Sequence, residues 1–87
     1  LNEEKKEVAW LEVERIEAYK IDLLAFDEVC LDIVLSTSVI RITEETEGWN
    51  TFIQKLQAQF PGIERDWYSK IIQTSFQTNH TVLYERS

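Results

Sequence analysis

The sequence is poor in the residues that announce a specialised site: among 87 residues there is one cysteine, one histidine, one proline, two glycines and no methionine. One cysteine makes no internal disulfide, so packing has to hold the fold. Isolated Gly48 and Gly62 build no glycine-rich phosphate loop. Cys30 and His80 lack the short ligand spacings that announce a zinc site. So little proline and glycine leaves no room for a flexible linker, and no internal repeat is visible. Residues 1–87 read as a single small domain, with 1–7 frayed because they are charged and unpatterned. No apolar run approaches the roughly 20 residues of a membrane-spanning helix. With one thiol and no apolar N-terminal run, a cytoplasmic location is expected. The Asn79-His80-Thr81 glycosylation sequon carries little weight without a secretory signal.

Basic residues are scarce too. Nine face 16 acidic ones, for a formal net charge of −7. The imbalance lies in residues 1–47, with 13 acids against 5 bases; residues 48–87 hold 3 and 4. An acidic surface repels phosphate, so neither nucleic acid nor anionic membrane is an expected partner. The plain role of such charge is solubility.

What is present is hydrophobic pattern. Val29, Leu31, Ile33 and Leu35 alternate with Glu28, Cys30, Asp32 and Val34, which places the two sets on opposite faces of a strand. Ser36-Thr37-Ser38 makes a turn, and β-branched Val39–Thr43 returns as the second arm of an antiparallel hairpin. Ile40 and Ile42 extend the odd-numbered apolar face.

The period then changes. Trp49, Phe52, Ile53, Leu56 and Phe60 form one helical stripe, opposite Asn50, Gln54, Lys55, Gln57 and Gln59. The carboxylates of Glu44, Glu45 and Glu47 favour a helix start, with Thr46 or Gly48 as its cap. Pro61-Gly62 ends the helix. A sheet with one apolar face and a helix with one apolar stripe bury each other.

The flanks are less clear. Residues 8–24 are open between strand and helix. Trp10, Val13 and Ile16, spaced by three, predict a helical turn before a strand from Ile16 to Ile21, with a continuous helix from Glu3 to Leu24 as the alternative. Ile63, Trp67 and Ile71 predict a short second helix within 63–73, then a loop to His80 and a closing strand over 81–86. The predicted class is α+β: an antiparallel sheet of three to four strands, with one main helix on one face and a second short one.

Ile16-Glu17-Ala18-Tyr19-Lys20, Asp22, Asp27, Val29-Cys30-Leu31, Glu44-Glu45, Gly48-Trp49, Phe60-Pro61, Asp66-Trp67, Phe76, Asn79 and Thr81-Val82-Leu83-Tyr84-Glu85-Arg86 carry a resemblance. Over about residues 8–86 the chain resembles a family of small bacterial proteins of uncharacterised function. The resemblance implies a compact bacterial cytoplasmic domain and brings no activity, cofactor or site residue with it.

The chemistry-bearing residues are few. Asp22, Asp27 and Asp32, or Glu44, Glu45 and Glu47, would serve acid–base work only if burial separated their pKa values. A calcium loop would need set spacings and a central glycine, which are missing. Solvated charge is the simpler account. A Cys30–His80 dyad would have to be assembled by the fold, and a mid-strand Cys30 reads first as a small buried hydrophobe. Arg65 and Lys70 beside Trp67 and Tyr68 are too few cations for a nucleic-acid surface.

No catalytic, cofactor-binding or metal residue is assigned, and no cofactor is expected. The expectation is a non-enzymatic protein-interaction module that binds a protein partner or itself as a homodimer. The alternative is an acidic immunity- or antitoxin-type inhibitor of a basic toxin. A small enzyme or small-molecule binder is the third reading. One feature of the hairpin favours association: its second face, with Glu28, Cys30, Asp32, Val34, Val39 and Arg41, is half apolar. It needs cover from 63–73, from the Trp10 region or from a second molecule.

Overall fold

The alternating residues of the hairpin form the centre of the sheet in the computed structural model, which describes residues 10–22, 27–73 and 80–86. A 3₁₀ turn at Trp10–Glu12 enters β1 (Val13–Asp22). Then follow β2 (Asp27–Leu35), β3 (Val39–Thr43), α1 (Trp49–Gln59), α2 (Trp67–Gln73) and β4 (Thr81–Glu85). The four strands are antiparallel in the order β3-β2-β1-β4. The chain therefore crosses the sheet through its two helices, and the last strand lands beside the first. This is the α+β architecture expected from the two periods.

The N-terminal region differs from both readings. The strand starts at Val13 rather than Ile16, and a helix over 3–24 is ruled out wherever β1 is described. The reason is a bulge. Val13 pairs with Leu35 while Arg15 pairs with Val34, which leaves Glu14 as an extra residue on β1. The bulge lets Val13 and Ile16 both become fully buried although they are three apart. A spacing of three imitates a helix in sequence and is a bulged strand in the fold. β4 repeats the device: Ile16 pairs with Tyr84 and Glu17 with Val82, so Leu83 is the extra residue.

One face of the sheet makes the core. Val13, Ile16 and Ala18 of β1, Val29, Leu31 and Ile33 of β2, and Ile42 of β3 pack with Phe52 and Leu56 of α1, Ile63, and Trp67 and Ile71 of α2. Trp49, Ile53 and Phe60 complete the helical stripe as half-buried neighbours. The helix starts at Gly48, whose φ of 87° is left-handed and suits a residue without a Cβ. Thr46 is not the side-chain cap: its hydroxyl accepts a hydrogen bond from the Thr43 N–H at 3.1 Å. Gln57, on the polar side, is half-buried rather than exposed.

Polar pins hold α2 to this face. Glu44 accepts hydrogen bonds from the Val29 N–H at 2.8 Å and from the Tyr68 hydroxyl at 2.7 Å, tying β2, the turn after β3 and α2 together. That bond to Glu44, with burial adding to it, pushes the Tyr68 pKa up to about 12. Lys20, also on the helix-covered face, donates to the Ile72 carbonyl in the last turn of α2 at 3.2 Å, where a cation suits the negative helix end.

Candidate functional site

Strand alternation turns Arg15, Glu17 and Tyr19 of β1 away from the helices, beside Cys30, Asp32 and Val34 of β2 and Val39 and Arg41 of β3. The cross-strand pairs are Tyr19 with Cys30, Glu17 with Asp32, Asp32 with Arg41, and Val34 with Val39. Neither expected cover reaches this side. Trp10 packs against Phe52 and edge-on to Phe60, with ring centres 5.7 and 5.9 Å apart, and α2 puts Trp67 and Ile71 into the core, so both lie with α1.

The face is closed instead by its own polar side chains. The Tyr19 hydroxyl donates to Asp32 Oδ1 at 3.0 Å. Arg41 reaches the same carboxylate with Nε at 2.9 Å and Nη2 at 3.3 Å, and its guanidinium lies 5.6 Å from the Tyr19 ring centre. The His80 ring stacks on Tyr19 at 4.1 Å and 3°. His80 Nδ1 sits 2.8 Å from Glu17 Oε1, while Arg15 Nε donates to Glu17 Oε2 at 2.6 Å. Arg15, Glu17, Tyr19, Asp32, Arg41 and His80 thus form one connected set, within which Tyr19 is 4% exposed and its cross-strand neighbour Cys30 1%.

The electrostatics follow from these bonds. Burial pushes the Asp32 carboxyl up, but the hydrogen bonds from Arg41 and Tyr19 outweigh it and leave the group below the usual range. Glu17 is also lowered, chiefly by the bond to His80 against an opposing burial effect, with Arg15 helping. Burial, then the bond to Asp32, raises the Tyr19 phenol well above its usual value. Burial and the nearby Glu28 charge raise the Cys30 thiol.

Two results are expected. Asp32 and Glu17 have depressed folded-state values, so their contribution is complete above the unfolded carboxylate range near pH 4 and is lost as pH falls through the folded values. Urea midpoints measured from pH 7 downwards should drop below about pH 4, and less steeply in an Asp32→Asn/Glu17→Gln variant. Parallel curves would show that these groups are not the acid-sensitive ones. Cys30, buried and held as the thiol, should react slowly with a thiol reagent in the native protein and fast in denaturant. Equal rates would restore it as a candidate nucleophile.

The residues singled out in the sequence are scattered. Asp22 and Asp27 pair at the far end of β1 and β2, Asp32 lies in the polar surface, Glu44 holds α2, and Glu45 and Glu47 are exposed in the turn before α1. Cys30 and His80 form no dyad among the described contacts: Cys30 Sγ lies 3.9 Å from the Glu28 carbonyl, and His80 bonds to Glu17. Phe76 and Asn79 lie outside the described residues. Among the described residues, no group of three or more His, Cys, Asp or Glu side chains is placed to hold a metal ion. Sequence reasoning missed Arg15, Glu17 and Tyr19 as a set. Their period-two spacing was the available signal, hidden by the bulge just before it.

The turn after β3 engages one end of the free β3 edge. Its outward-facing Thr43 accepts from the Thr46 N–H at 2.9 Å and donates to the Thr46 hydroxyl, so the turn occupies groups an added strand would need. The bulge at Leu83 interrupts β4 similarly.

The chain matches no family model, no curated protein and no solved structure. Its function has to be argued from these residues alone. No helix among the described residues is long and apolar enough to cross a membrane.

Proposed function

We propose that this chain is a non-enzymatic protein-interaction module, that its contact surface is the second face of the sheet, and that a second copy of the chain is its simplest partner. One observation carries the reading. Arg15, Glu17, Tyr19, Asp32, Arg41 and His80 of that face are engaged with one another, while Val39 and Val82 stand exposed beside them. A general acid or base has to exchange a proton near the working pH. Tyr19 and Cys30 are instead held protonated at neutrality, and Asp32 and Glu17 ionised. An exposed arginine with neighbouring aliphatics suits protein contact.

A two-fold dimer needs only one self-complementary patch. The resemblance to small bacterial proteins and a cytoplasmic setting belong to the same proposal. The acidic-inhibitor alternative draws support from the net charge of −7. A basic toxin encoded next to this chain, and bound by it, would favour that reading.

Sedimentation velocity across a concentration series tests the dimer. The expected result is a concentration-dependent shift to a dimer, abolished by Val39→Glu with Val82→Glu. A strictly monomeric species up to several hundred micromolar would overturn it.

A further inference from the structure

We draw no further inference here: the strongest candidate, the exposed rim of Val39, Arg41, His80 and Val82 around buried Tyr19 on the second face of the sheet, belongs to the surface already described, and nothing among the described residues shows what covers it.

Discussion

Replacing Leu56 by Ala should lower the unfolding free energy by about 2–5 kcal/mol, the range for emptying a buried leucine site. Leu56 is fully buried at the centre of the α1 stripe. It packs within a core whose sheet side is Ile16, Leu31 and Ile33, all 0% exposed, so little can relax into the space. The same substitution at exposed Gln54, on the opposite side of α1, should stay within about 0.5 kcal/mol. Urea titrations of the two variants make the comparison. Equal losses would mean that α1 does not seat through this stripe.

Asp32→Ala should cost about 1–3 kcal/mol, because it strands the buried Tyr19 hydroxyl without its acceptor. Arg41 loses both bonds too, but its side chain is 63% exposed and water replaces the carboxylate. The cost therefore belongs mainly to Tyr19. Tyr19→Phe removes the stranded group, so adding it to Asp32→Ala should recover part of the loss. The two changes should then be strongly non-additive in a double-mutant cycle. Simple additivity would refute the bond as the link between β1 and β2 on this face.

The difference between these experiments marks how far the residues alone can be read. The hydrophobic core was legible because it is a property of period: Val29, Leu31 and Ile33 alternate, and Trp49 to Phe60 repeats every three or four residues. Each pattern admits one secondary structure, and burying both stripes forces the helix onto the sheet. The hairpin turn and the end of α1 were legible for a similar reason, since Ser36-Thr37-Ser38 and Pro61-Gly62 act on the local backbone.

The β2 and β3 members of the polar surface were legible from alternation, and its contacts were not. Glu17 meets His80 across 63 positions and Tyr19 meets Asp32 across 13, and no local preference encodes either pairing. They depend on β4 landing beside β1 and on the register of β1 against β2. Both registers are shifted by one-residue bulges, at Glu14 and Leu83. A shift of one residue exchanges the two faces of a strand. Alternation assigned Cys30, Asp32, Val34, Val39 and Arg41 to the second face, but which residues of β1 and β4 join them waited on the tertiary pairing. By itself the sequence determined the buried stripes of the hairpin and of α1 and the kind of element each belongs to, while the element over 8–24 stayed open. Only the three-dimensional structure decided which charged groups meet, because ion pairs and hydrogen bonds are set by distances between strands rather than by spacing along one.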